Sequence, residues 1–333
     1  MKCRHRPLCG AFQIVCLVLL AGSLAGCATQ TGRLRTVQNG RFDFGLIGDV
    51  PYSEQDATNA FPNMIADLNR ARLEFVVHDG DIKSGASACT DEILLERHTQ
   101  FQTFDHPLIY IFGDNEWTDC ARGQTNSFDP VERLEKLREI FTPGDQSLGK
   151  RTLTLARQSD DPRFRRFREN VRWVLGEILF VGLNVPGDSN NYGQPEYADR
   201  NRANLAWLKE SFALATAKHS RGLMLIMQAN PRFDLPSTNK VRAGFNDLLS
   251  LLEKETVAFR KPVVLVHGDT HNFRIDKPLF GSKSKRRLEN FTRVETFGNP
   301  DVHWVRASVD WDDPSLFSFR QQIVKKNLVR HPL

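Results

Sequence analysis

The strongest constraint on this chain is a repeated unit. A short apolar run stops at a glycine or histidine next to an acid, and a stretch of helical spacing follows. Phe42–Ile47 ends in Gly48-Asp49, and Phe75–Val77 ends in His78-Asp79-Gly80-Asp81. Leu108–Phe112 ends in Gly113-Asp114-Asn115-Glu116. Between them, Phe61, Met64, Ile65, Leu68 and Leu73 recur at helical spacing, and residues 91–102 and 131–141 also read as helices. Strands alternating with helices predict an α/β fold with a mainly parallel sheet covered by helices.

The pattern continues further along the chain. Residues 171–184 read as two strands joined near Gly176, and residues 201–217 as a helix. Leu223–Met227 is a buried strand, followed by a helix around residues 241–256. Val263–Val266 is another strand and runs into His267-Gly268-Asp269-Thr270-His271. Late strands are expected at 302–309 and 316–323. In parallel α/β sheets, the loops after the strands' carboxyl ends gather on one rim, where ligands bind. This chain sends oxygen and imidazole side chains there from four strand ends. Carboxylates so clustered repel one another, and divalent cations relieve that repulsion. A turn-capping role is the bland alternative for each acid.

Five segments in order carry a resemblance to the calcineurin-like metallophosphoesterases. They are Gly48-Asp49-Val50-Pro51-Tyr52, Gly80-Asp81-Ile82-Lys83-Ser84, Gly113-Asp114-Asn115-Glu116, Met227-Gln228-Ala229-Asn230-Pro231 and Gly268-Asp269-Thr270-His271. Together they span residues 43–272. The resemblance implies a metallophosphoesterase-type layered fold, with central mixed β-sheets flanked by helices. It also implies two divalent ions, with Asp81 bridging, Asp49 and His271 on one ion, and Asp114, Asp269 and Gln228 on the other.

The departures from the family pattern are chemical. Pro51 replaces the first-motif histidine and cannot coordinate; Tyr52 beside it is a candidate ligand instead. Asp114 replaces an asparagine and Asp269 a histidine, and Gln228, or Ala229 by a one-residue shift, stands for another histidine. Asn115 replaces the histidine that relatives use on the leaving group or the phosphate; it can donate a hydrogen bond but cannot act as a general acid. His78 and His267 are the candidate substitutes, with His267 open as a ligand, an outer hydrogen bonder or a satisfied strand-end histidine. An oxygen-rich set favours Mn or Mg, with Ca, Fe or Zn as open alternatives. The implied activity is phosphoester hydrolysis, on a small-molecule or envelope-derived substrate. The competing readings are a decayed binding protein and a Ca-stabilised structural lipoprotein on the same fold.

Lys2, Arg4 and Arg6 precede the uncharged run Ala11–Leu20 and the small-residue box Leu24-Ala25-Gly26-Cys27. This is a secretory signal pattern, and the box resembles the bacterial lipobox. Residues 1–26 are thus expected to be a signal, with Cys27 lipidated and anchoring the chain to the envelope, outer membrane favoured, facing the periplasm. A tether over 27–40, a domain over 41–325 and a tail over 326–333 complete the expected organisation. Without the three signal cations the formal charge of +5 falls to +2, too mild to imply nucleic acid as a partner. Cys89 and Cys120 remain, and an exported compartment favours their pairing over two buried thiols. The arginine-rich span 157–170 reads as a surface insertion.

Overall fold

The computed structural model describes residues 40–123 and 127–328. The expected signal and lipidated Cys27 lie outside them, as does the tether up to residue 39. Among the described residues, twelve strands form two sheets. In chain order they are β1 (Arg41–Ile47), β2 (Val76–His78), β3 (Leu108–Tyr110), β4 (Ala156–Arg157), β5 (Val171–Leu175), β6 (Ile178–Gly182), β7 (Gly222–Ile226), β8 (Val263–His267), β9 (Arg274–Asp276), β10 (Phe291–Glu295), β11 (Trp304–Asp310) and β12 (Phe317–Gln322). One sheet runs β12-β11-β1-β2-β3 and the other β4-β5-β6-β7-β8-β10-β9. The runs β1-β2-β3 and β6-β7-β8-β10 are parallel, and the edges pair antiparallel, so both sheets are mixed.

Side-chain alternation along each strand sorts the residues into layers. Phe44, Phe75, Ile109, Trp173, Phe180, Met224, Val266 and Val305 meet between the sheets. Phe44 stacks on Phe75 at 4.8 Å, and Trp173 on Phe180 at 5.1 Å. The outer face of the five-stranded sheet packs against α1 (Phe61–Arg70), α2 (Asp91–Phe101) and α3 (Pro130–Phe141). On α1, Phe61, Met64, Ile65 and Leu68 make the apolar stripe; on α3, Asp129 caps the first turn by accepting from Glu132 N at 2.9 Å. The outer face of the seven-stranded sheet packs against α5 (Tyr197–Ala217) and α6 (Asn246–Phe259). Helix, sheet, sheet, helix is the layered α/β architecture expected from the sequence.

Strands β4, β9 and β10 were not expected. β10 sits inside the parallel run of its sheet, yet Thr292, Arg293 and Glu295 interrupt its apolar pattern. Arg293 is neutralised by Asp276 on β9, which lets a charged residue occupy an interior strand. Packing also continues past the expected domain end, since Asn327 donates to Ala60 O and Val302 O at 2.9 and 2.8 Å. Among the described residues, no helix is long and apolar enough to cross a membrane. The 157–170 span carries buried Arg157, Phe164, Phe167 and Asn170, so only part of it is surface.

Candidate metal centre

The loops after β1, β2, β3 and β8 converge on one rim, as the strand ends predict. Asp49, Asp81 and Asp114 are buried there. Asp269 N donates to both carboxylate oxygens of Asp49 at 3.1 Å. Asp49, Asp81, Asp269 and His271 all lie in the left-handed backbone region, with φ of 52°, 60°, 79° and 60°. Each such residue costs about 1–3 kcal/mol, and residues of this kind cluster at functional sites. The turns fit only because glycines flank them. A Cβ on Gly268 would stand 2.2 Å from Asp49 Oδ2, and one on Gly113 would stand 2.0 Å from Asp81 Oδ1.

Tyr52 is the hub of the cluster. Its hydroxyl lies 2.9 Å from Asp81 Oδ2, 3.5 Å from Asp49 Oδ1 and 3.2 Å from His271 Nε2, and it receives Asn115 Nδ2 at 2.9 Å. It thus stands among the residues expected to ligate, at the place opened by Pro51. His271 Nδ1 lies 2.6 Å from the Asn299 carbonyl. A carbonyl only accepts, so Nδ1 donates there and Nε2 faces Tyr52 and Asp49, 3.6 Å from Asp49 Oδ1.

Four expected residues have other roles here. His78 lies on the helix-facing side of β2, in register with Val76, packed among Phe61, Phe101 and Tyr110. Its Nε2 donates to Val50 O at 2.9 Å and its Nδ1 accepts from Gly80 N at 3.2 Å, and burial lowers its pKa to about 4. It is a satisfied core histidine, not a catalytic group. His267 follows the same alternation beyond Val263 and Leu265; its Nδ1 donates to Gly268 O at 2.8 Å, and burial lowers its pKa to about 3. It makes no hydrogen bond to the cluster, and its Nε2 is buried without a hydrogen-bond partner.

Gln228 reaches the site but does not present its oxygen. Oε1 accepts from Gly187 N at 2.7 Å, which turns the amide nitrogen to Asp81 Oδ2 at 3.2 Å. Reversing the amide would set two donors face to face, so Gln228 is a donor to Asp81 and its oxygen is taken by Gly187 N. Asn115 spends its amide on Tyr52 and on Asp81 Oδ2 at 2.8 Å, and its backbone N–H on Asp81 Oδ1 at 3.1 Å. Its donors hold Asp81 and are not directed to a phosphate.

The acids behave as a set built for cations. Burial pushes Asp81 well above the usual carboxylate range, reinforced by Asp114, Glu116 and Asp49. Asp49 is raised likewise, by burial and then by Asp79 and Asp269. Burial raises Asp114 to about 7 and Asp269 to about 6. Asp114 Oδ1 is buried without any hydrogen-bond partner. Such an orphaned oxygen among oxygen ligands fits a divalent cation.

Sequence reasoning missed three residues on the rim. Asp119 and Asp188 place carboxylate oxygens within 4.8 Å of Asp114, and Arg122 pairs with both acids at 2.6 and 2.8 Å. Asp119 and Arg122 flank Cys120, which forms the expected disulfide with Cys89 (Cα–Cα 5.7 Å). Asp188 belongs to a short turn, α4 (Gly187–Asn191), whose residues 188–190 are all left-handed; nothing in the sequence marks that conformation. Asp79 is also close, its Oδ2 accepting from Thr296 Oγ1 at 2.9 Å.

No family model matches the chain, and no curated protein matches it. Solved structures do share its fold. One is described as GAP50, the anchor in the inner membrane complex of Plasmodium, at 11% identity and TM-score 0.52, covering 87% of each chain. PhoD follows at 12% identity and TM-score 0.50, covering 81% of this chain and 64% of PhoD. A 5'-nucleotidase from Candida albicans SC5314 aligns at 12% identity and TM-score 0.42 over 84% of this chain and 50% of that one. The fold is a layered α/β fold, two mixed sheets flanked by helices, and GAP50 and PhoD share it.

Proposed function

We propose that this chain is a metal-dependent phosphoester hydrolase. The observation that carries the reading is the convergence of Asp49, Asp81, Asp114 and Asp269 with His271 Nε2, including the orphaned oxygen of Asp114. These residues would hold the cations, with Tyr52 among them. The oxygen-rich set favours Mn or Mg over Zn. When bound, such cations supply charge neutralisation, Lewis acidity and activation of water.

The chain's own residues do the positioning. The Asn299 carbonyl fixes the His271 tautomer. Asn115, Gln228 and Tyr52 hold Asp81, and the Asp269 amide holds Asp49. With His78 and His267 turned into packing, neither reaches a leaving group. Loss of a general acid costs on the order of 10²–10⁴-fold, so this geometry suits phosphoesters with a good leaving group.

Purified full chain, assayed on aryl phosphomonoesters and phosphodiesters with added Mn, Mg, Ca or Zn, should turn over with Mn or Mg. Absence of turnover with every metal would sink the reading. A second reading, a catalytically silent binding or anchoring protein, draws on the fold likeness to a protein described as an anchor and on the replaced histidines; bound metal without turnover supports it. The signal pattern and Cys27 support attachment to a bacterial envelope. There Cys27→Ser should move the protein from the membrane to the soluble fraction, and an unchanged distribution would refute lipid anchoring.

A further inference from the structure

We infer that the Cys89–Cys120 disulfide is a positioning element of the acidic centre: it fixes the third-strand loop against the second, so that Asn115 holds Asp81 ready for a cation. The inference rests on the reading of that centre as a cation site, and it gives the two cysteines a role beyond stability.

The first ground is where the bond lies. Cys89 stands at the end of the loop that follows β2 and carries Asp81. Cys120 stands at the end of the turn that follows β3 and carries Asp114 and Asn115. That turn is one compact unit. Asp114 O accepts from Trp117 N at 3.2 Å and from Asp119 N at 3.1 Å, and Trp117 O accepts from Cys120 N at 3.2 Å. The two joined loops bring Asp81 and Asp114 together, and like charges at close range push apart. The disulfide ties the loops against that repulsion without adding charge.

The second ground is what the sulfurs touch. Both are buried and lie against the Asn115 carbonyl oxygen, Cys89 Sγ at 3.7 Å and Cys120 Sγ at 3.8 Å. Lys83 Nζ donates to the same oxygen at 2.6 Å. The carbonyl side of Asn115 is thus pinned. Its donors go to Asp81, the backbone N–H to Oδ1 at 3.1 Å and the side-chain amide to Oδ2 at 2.8 Å. A shift of the Asn115 backbone therefore reaches both oxygens of the acid expected to bridge the ions.

Cys89 has an anchor outside the loops. Its carbonyl accepts from Nη1 of buried Arg133, on α3, at 3.0 Å. The support runs from α3 through the disulfide to Asn115 and on to Asp81. A covalent tie removes loop conformations that would otherwise be given up when a cation binds. Groups that orient metal ligands in this way set affinity by about 10–100-fold.

The test compares the full-length wild type with the Cys89→Ala/Cys120→Ala double variant. Leu252→Ala, in the core under the far sheet, is the control for lost stability alone. Mn affinity is read by calorimetry, apart from melting and turnover. Both variants should melt earlier. Only the double variant should lose Mn affinity, by about 10-fold, and its turnover of an aryl phosphoester should recover at saturating Mn. Wild-type Mn affinity in the double variant, or an equal loss in Leu252→Ala, would overturn the inference and leave the cation site standing. A wild type that binds no Mn would overturn both. Should the double variant fail to fold, reciprocity of coupled equilibria supplies a measurement on the wild type. The Cys89–Cys120 bond is equilibrated in glutathione buffers and read by peptide mapping, two glutathione thiols becoming one glutathione disulfide for each bond reduced. Mn should shift that equilibrium toward the protein disulfide by the same factor of about 10, and an unshifted equilibrium overturns the inference.

Discussion

The two sheets deliver polar residues to the same rim in different ways. The loops of the five-stranded sheet bring Asp49, Tyr52, Asp81, Asp114 and Asn115 into direct side-chain contact or close electrostatic coupling. From the loops of the seven-stranded sheet, the His271 ring and the Gln228 amide point at that cluster by hydrogen-bonding geometry. From that side Asp269 contributes its backbone N–H to Asp49, Gln228 contributes an amide N–H to Asp81, and His267 turns away. One sheet thus supplies three of the four acids, and the other supplies Asp269, backbone and amide donors and an imidazole. A residue at a motif position can therefore act as ligand or as support, and only its hydrogen-bond partners tell which.

The largest expected effect breaks the charged side. Asp81→Asn should lower kcat by on the order of 10³-fold, since metal-borne charge stabilisation is worth several kcal/mol. Gln228→Leu, on the supporting side, should lower metal affinity by only about 10-fold. It should also destabilise the fold by about 1–3 kcal/mol, because Gly187 N would lose its buried acceptor. Metal titrations and kinetics of the two variants check this, and equal losses would erase the distinction between the sheets.

A smaller effect appears in the pH dependence of stability without metal. Asp114 and Asp269 bind protons in the folded chain up to about 7 and 6, whereas unfolded carboxyls release them near about 4. The folded state then holds more protons between those values. The contribution is thus fully present at acid pH and is lost as pH rises through 6–7. Melting of chelator-treated protein should fall by on the order of several degrees from pH 5 to 8. Added Mn should flatten or reverse the slope. A pH-independent melting point without metal would remove the coupled acids from the site.

Much of the fold was legible because strand and helix periods are local. Phe61, Met64, Ile65 and Leu68 announce α1, and Val263–Val266 announce β8. β10 was hidden because Arg293 and Glu295 read as surface until Asp276 and Arg274 are seen to neutralise them. In the site, Asp49, Asp81, Asp114 and Asp269 were legible from glycine–acid pairs at strand ends, His271 from the run after β8, and Tyr52 only through the family resemblance. The orientation of Gln228 was not, since it depends on Gly187 forty-one residues away. Nor were Asp119, Arg122 and Asp188, which meet through a disulfide and a left-handed turn.

By itself the sequence determined the α/β class and the row of acids at the strand ends, because both follow from local period and residue type. Only the tertiary structure decided which histidine faces the acids. His78 and His267 fall on the helix-facing parity of their strands and are satisfied or desolvated there. His271 lies past the strand, where a left-handed turn and the Asn299 carbonyl turn its Nε2 back toward the acids. Parity and turn geometry, neither visible in residue identity, made that choice.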